Sequence, residues 1–208
     1  MPSKKELLKK AKLYLILDAQ VNSAEELIDV THQALEAGVE VFQLRAKSLP
    51  SIEIKKLAIK LKDIIGDRAI FILNDNPKLA KELDVDGVHV GQDDVSLSEA
   101  RSYMGDGIVG VSCQSLGHAI EADGGGADYI GFGSVFKTKT KPERDPMNLN
   151  LLKNVVNTIS IPVFPIGGIT PENSEKLYDL GLRRYAICRA ISEAENIKLS
   201  VDKLLKYC

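Results

Sequence analysis

Short apolar runs recur along this chain, each followed by a polar turn and then a stretch of helical period. That alternation restricts the fold to repeated βαβ units. Eight such runs stand out: Leu13 to Leu17, Glu40 to Leu44, Ala69 to Leu73, Gly87 to Val90, Ile108 to Val111, Tyr129 to Phe132, Pro162 to Ile166 and Arg184 to Cys188. Between them the chain is amphipathic. Ala24 to Ala37 sets Leu27, Ile28, Ala34 and Leu35 near helical spacing, and Ile52 to Ile65 does the same with Ile54, Leu57, Leu61 and Ile64. Gly38 and Gly66 follow as helix stops. An open doubly wound sheet would show the same local alternation, so the polar residues decide. Nearly every run ends in a polar or Gly-rich cluster, as strands do when chemistry gathers at the carboxyl end of a barrel. The expected fold is a single α/β domain over residues 1–208, a (β/α)8 TIM barrel, with residues 1–12 as an N-terminal helix before the first strand.

Length and charge agree with one domain. The 208 residues, 44% hydrophobic, suffice for one sizeable core and are few for two. Lys and Arg number 27 against 29 Asp and Glu, a formal charge of -2, so no global basic field invites nucleic acid or an anionic membrane, and any anion site must be local. Cys113, Cys188 and Cys208 are odd in number and widely spaced, with neither a CxxC pair nor a disulfide framework, which fits a cytoplasmic location. The basic start has an apolar run, Leu13 to Leu17, that stops at Asp18, short of a signal peptide's hydrophobic region. Nowhere do about 18 apolar residues run together, as a membrane-spanning helix requires. Small molecules are the expected partners, and a homo-oligomer is left open.

The clusters that carry chemistry follow the runs. In QLRAK, strand alternation turns Gln43, Arg45 and Lys47 to one side, toward the barrel interior or mouth, where two cations need anions. A diphosphate would satisfy them, Arg45 as a fork and Lys47 as a point charge. Asn74-Asp75 and GVHVGQDD bring Asp75 and one of Asp93 or Asp94 to neighbouring strand ends, a pairing suited to Mg²⁺, although Asp is also common in turns and helix caps. His89 reads as a satisfied packing residue, Cys113 as an inert semi-buried thiol, and His118, at a helix start, carries no assigned role. Gly124-Gly125-Gly126 precedes a strand, so it reads as a helix-to-strand turn and not a nucleotide loop. GFGSVFKTKTK places Thr138 and Thr140 among Lys137, Lys139 and Lys141, hydroxyls and ammonium groups suited to phosphate. The seventh run leads into Gly167-Gly168 and the eighth into Cys188 and Arg189, read as the start of the final helix. Loops after strands seven and eight are the usual phosphate site of such barrels.

In order and spacing, QLRAK, NDNPKLA, GVHVGQDD, GVSCQS, ADYIGFGSVFKTKTK and IPVFPIGGIT resemble the thiamine-phosphate synthase family from about Leu13 to Ile191. The resemblance implies a transferase that condenses hydroxymethylpyrimidine diphosphate with a thiazole phosphate, releasing diphosphate. It implies that Gln43, Arg45, Lys47 and Asn74 hold the pyrimidine diphosphate, that Asp75 and Asp94 bind Mg²⁺, and that Ser112 touches the pyrimidine. Thr138, Thr140, Gly168, Cys188 and Arg189 would hold the thiazole phosphate, and Lys141 would reach the diphosphate. Diphosphate would leave first, with Arg45, Lys47 and Lys141 stabilising the departing charge before the thiazole nitrogen attacks.

Three positions depart from the family pattern. Ala46 stands where the family has Glu, on the side of the strand away from Gln43, Arg45 and Lys47, so only a structural effect is expected. Gln114 stands for a His, and Arg189 for a Ser. A related thiazole tautomerase would lack the Asp94 carboxylate and keep the His, the reverse of what is seen. A barrel that only binds a thiamine precursor would have no need of two carboxylates suited to Mg²⁺, and no Schiff-base Lys points to a sugar-phosphate aldolase. Lys137 to Pro146 is an expected lid, since water must be kept from a carbocation.

Overall fold

The computed structural model of the protein describes residues 2–139 and 145–208. Its strands are β1 (Leu13–Asp18), β2 (Val41–Arg45), β3 (Ile70–Asn74), β4 (Gly87–Val90), β5 (Ile108–Cys113), β6 (Tyr129–Gly133), β7 (Val163–Ile166) and β8 (Tyr185–Ile187). They pair in parallel in chain order, and β8 closes onto β1, so the sheet is a closed barrel. Each apolar run became a strand. Four strands carry a polar residue at or next to their carboxyl end, Asp18, Arg45, Asn74 and Ser112, so polar residues of the pocket stand on the sheet itself.

The helices are α1 (Lys4–Lys10), α2 (Ala24–Glu36), α3 (Ser51–Ile65), α4 (Pro77–Glu82), α5 (Leu97–Met104), α6 (Leu116–Gly124), α7 (Leu149–Thr158), α8 (Glu175–Asp179), α9 (Arg189–Ser192) and α10 (Ile197–Leu205). Period-2 alternation in the strands and period-3.6 in the helices divide the apolar residues into two layers. Leu13, Leu15 and Leu17 of β1 and Phe42 and Leu44 of β2 point outward onto Leu27 of α2 and Leu57 and Leu61 of α3. Ala46 follows the same outward row and is buried there, away from the pocket. The alternate residues Tyr14, Val41, Ile70, Ile72, Ile108, Tyr129 and Phe164 fill the barrel.

Helix α1 closes the amino end. Ser3 and Glu6 form a reciprocal capping box at its start, and Lys4 and Lys5 pair with Asp86 and Asp128 at the feet of β4 and β6. Leu8 is 1% exposed and joins the interior cluster of the barrel. Leu8→Ala is therefore expected to lower unfolding free energy by about 2–5 kcal/mol, because a cavity at the barrel foot cannot collapse between rigid strands. Urea melts with an unchanged m-value would show it.

Inside the barrel, Tyr14, Tyr129 and Phe164 pack with ring centroids 5.4–5.7 Å apart, in tilted or edge-to-face pairs. Bulk on one strand requires its absence on the next. Gly110 stands beside Tyr129 in the sheet, and a Cβ on it would lie 2.0 Å from the ring.

Candidate active site

These three rings are the floor of a pocket of about 580 Å³ at the carboxyl ends of the strands, a size that suits small-molecule substrates. A chain of hydrogen bonds rises from the floor. Gln43 Nε2 donates to Tyr14 Oη at 2.7 Å, the Tyr14 and Tyr129 hydroxyls lie 2.6 Å apart, and Tyr129 Oη lies 3.0 Å from His89 Nδ1. His89 Nε2 lies 2.9 Å from Ser112 Oγ. Burial pushes both tyrosine hydroxyls well above their ordinary value, so they serve as neutral hydrogen-bonding groups. His89 is buried and hydrogen-bonded, as the packing reading expected, but it also lines the pocket.

One level higher stand Arg45 and Lys47, on the interior row begun by Gln43. Arg45 Nη1 donates to Asp18 Oδ2 at 2.7 Å and to Gln20 Oε1 at 2.8 Å. Asp18 is fully buried and lines the pocket. The sequence reading missed it, together with Gln20, Tyr14 and Tyr129. The signal was present for Asp18, which shares the inward parity of Tyr14 and Ile16.

Lys47 Nζ lies 2.7 Å from Asp75 Oδ2 and 3.6 Å from Asp94 Oδ1, so the three strand ends meet at one point. Asp94 and not Asp93 is the partner: Gly91 N–H donates to Asp94 Oδ2 at 2.7 Å, while Asp93 is exposed. A Cβ on Gly91 would fall 2.8 Å from that same oxygen, so the carboxylate is seated against bare backbone. Asp75 has φ 65°, a left-handed conformation that Asp tolerates better than most residues, and its N–H donates to the His89 carbonyl at 2.8 Å. The two carboxyls interact directly. Burial, then the hydrogen bond with Asp94, raises the Asp75 pKa. Burial also opposes the charge on Asp94, but hydrogen bonds from Asp75 and the Gly91 N–H and the Lys47 charge outweigh it and lower its pKa. Burial disfavours the Lys47 charge as well, and the two carboxylates more than offset that, so its pKa is raised.

Across the barrel lie β7 and β8. Gly167 and Gly168 have φ 104° and 64°, and a Cβ on them would meet Ser134 Oγ at 2.1 Å and the Lys137 carbonyl at 2.3 Å. Their bare backbone thus lets the loop after β6 close onto the end of β7, where Phe136 N–H donates to the Gly167 carbonyl at 2.9 Å. Thr138, Gly168, Cys188 and Arg189 all line this side. Cys188 and Arg189 open the one-turn helix α9, not the final helix as expected. The helix ends at Ser192, and α10 starts anew with Asn196 as its cap. Arg189 forms an ion pair with Glu193, one turn along. Burial, with the Asp18 charge adding to it, pushes the Cys188 thiol up to about 12, and burial does the same to Cys113, so neither is a ready nucleophile. Gln114 is exposed at the rim. Thr140, Lys141 and residues 140–144 of the expected lid lie outside the described residues.

The pattern of this chain matches the family model described as thiamine monophosphate synthase over residues 13–191. The chain belongs to that family. It is 38% identical to the thiamine-phosphate synthase of Clostridium acetobutylicum over 189 residues, covering 90% of each chain. It is 39% identical to that of Methanobrevibacter smithii over 196 residues, covering 93% of each. A solved thiamine phosphate pyrophosphorylase from Pyrococcus furiosus superposes with a TM-score of 0.87 at 32% identity, over 97% of this chain and 96% of the other. As a member of this family the protein is an enzyme, a transferase. No helix among the described residues is long and apolar enough to cross a membrane.

Proposed function

We propose that the pocket joins 4-amino-5-hydroxymethyl-2-methylpyrimidine diphosphate to a thiazole phosphate, forming thiamine phosphate and releasing diphosphate. One observation carries this reading. Two sets of groups suited to anions stand at β2–β4 and at β7–β8, and β3 and β7 are four strands apart in a closed ring of eight. A single cavity with an anion site on each side suits two phosphorylated substrates whose reacting atoms meet between them.

In this reading Gln43, Arg45, Lys47 and Asn74 hold the pyrimidine diphosphate, and Ser112 contacts the pyrimidine above the aromatic floor. Thr138, Gly168, Cys188 and Arg189 hold the thiazole phosphate. Thr140 on that phosphate and Lys141 on the diphosphate rest on the family resemblance alone. Asp75 and Asp94 are the candidate Mg²⁺ ligands. Among the described residues no group of three or more His, Cys, Asp or Glu side chains forms a metal cage. Two carboxylates that share Lys47 beside a diphosphate site are nonetheless the donor set Mg²⁺ uses when substrate oxygens and water complete its shell. Bound there, it supplies charge neutralisation for the leaving diphosphate. Arg45 and Lys47 take up the rest of that charge, and the opposite site aligns the thiazole nitrogen with the pyrimidine methylene. No general base is required, which agrees with a pocket whose tyrosines stay neutral. The free cysteines support a cytoplasmic setting.

Purified protein given both substrates and Mg²⁺ should form thiamine phosphate, seen by ³¹P NMR, and both a chelator and Asp94→Ala should abolish it. No product from folded wild-type protein would overturn the proposal.

A further inference from the structure

Arg45 lines the pocket two residues beyond Gln43 on the inward row of β2, and its guanidinium is held from behind. Asp18 and Arg45 are partners in the β1–β2 register, each the last residue of its strand. The Asp18 carboxylate is clamped at both oxygens: Oδ1 accepts from Gln20 N–H at 3.0 Å, and Oδ2 accepts from Arg45 Nη1 at 2.7 Å. Its backbone is held too, since its carbonyl accepts from Val21 and Asn22 N–H, and Ala19 N–H donates to the Arg45 carbonyl. Gln20 Oε1 takes the same Nη1 at 2.8 Å. Both acceptors take the same nitrogen of a guanidinium that lines the pocket, and the side chain is only 15% exposed.

We propose that Asp18, assisted by Gln20, is a positioning residue that fixes the Arg45 guanidinium so that its outward edge meets the diphosphate. Asp18 makes no contact with substrate. The inference rests on the reading of Arg45 as a diphosphate ligand. It accounts for a feature that charge alone leaves unexplained: a fully buried carboxylate beside an anion site lowers the local positive potential, and it is worth keeping there if orientation gains more than charge loses.

The sign of one measurement separates the two. If Asp18 matters only as a charge, its removal tightens anion binding; if it positions Arg45, its removal weakens it. Binding of inorganic diphosphate with Mg²⁺ is measured by calorimetry on wild type, Asp18→Ala, Asp18→Asn, Gln20→Ala and Arg45→Met. Asp18→Ala should weaken binding about tenfold, as partners that orient a ligating group commonly do, and Asp18→Asn less, since it keeps an acceptor. Gln20→Ala, at an exposed side chain, should weaken binding a few-fold with an unchanged melting temperature, so a folding defect in the Asp18 variants would not hide the effect. In turnover, KM for the pyrimidine diphosphate should rise in the Asp18 and Gln20 variants while KM for the thiazole phosphate stays constant. Equal or tighter diphosphate binding in the Asp18 and Gln20 variants, with Arg45→Met weakened, overturns the positioning role alone. Wild-type affinity in Arg45→Met overturns the assignment of Arg45 itself.

Discussion

An Asp75→Asn variant is expected to lose about 10²- to 10³-fold in kcat, the range seen when one preorganised charge-stabilising group is removed, without losing stability. Asn accepts the left-handed backbone at φ 65° as readily as Asp, so the turn that aims the side chain survives. What disappears is one of two carboxylates for the metal. The stability side follows from linkage. Burial and Asp94 raise the folded pKa of Asp75 above its unfolded value. Such a group favours the fold at pH below the unfolded value, and that contribution is lost as pH rises through the folded value, so at neutral pH its ionised form is a burden. The Lys47 pair offsets that only in part, because the ammonium is 43% exposed and screened. Steady-state rates at saturating substrates and thermal melts at neutral pH check both halves. A variant that melts early would show that the carboxylate is structural, and one with wild-type kcat would remove it from the metal site.

Gly110→Ala is expected to destabilise the fold by about 3 kcal/mol or more, at the upper end of overpacking costs. The new Cβ would lie 2.0 Å from the Tyr129 ring and 2.4 Å from its hydroxyl. Tyr129 is fully buried and wedged between Tyr14 and Phe164, so it has no room to retreat. Any movement also breaks the hydrogen bonds that join Tyr14, Tyr129 and His89, leaving buried polar groups unpaired. Denaturant unfolding should show the loss, and Gly110→Ala combined with Tyr129→Leu should recover part of it, because the smaller side chain makes space. If the double variant is less stable by the sum of the two single effects, the ring is not the obstacle.

What could be read from the chain, and what could not, divides along local and non-local lines. The strands were legible because an apolar run is a property of a few consecutive residues, and strand parity showed Gln43, Arg45 and Lys47 to be one row. Applied to β1, parity would have shown Asp18 as well, since that residue follows Tyr14 and Ile16 on the inward side. The pairing of Asp18 with Arg45 was not legible, because it depends on the register of two strands. Likewise, residue chemistry alone does not distinguish Asp94 from Asp93 in GVHVGQDD, where only the family resemblance pointed to Asp94. The choice is made by a loop that brings the Gly91 N–H onto one carboxylate and leaves the other in solvent. Gly167 and Gly168 were read as part of a phosphate-site loop, and the close approach their bare backbone permits in the structure is that of the loop after β6. The division of the expected final helix into α9 and α10 had a local signal that went unread: Asn196, whose side chain accepts from Leu199 N–H.

The proposed reaction requires two anion sites on opposite sides of one cavity. A crystal structure of the protein with Mg²⁺, inorganic diphosphate and thiamine phosphate tests it most directly. The diphosphate should lie on Arg45 and Lys47 with the metal on Asp75 and Asp94, the pyrimidine should stand over Tyr14 and Tyr129 near Ser112, and the thiazole phosphate should lie at Gly168, Cys188 and Arg189. Diphosphate found at Gly168 and Arg189, or a metal held away from Asp75 and Asp94, would contradict it.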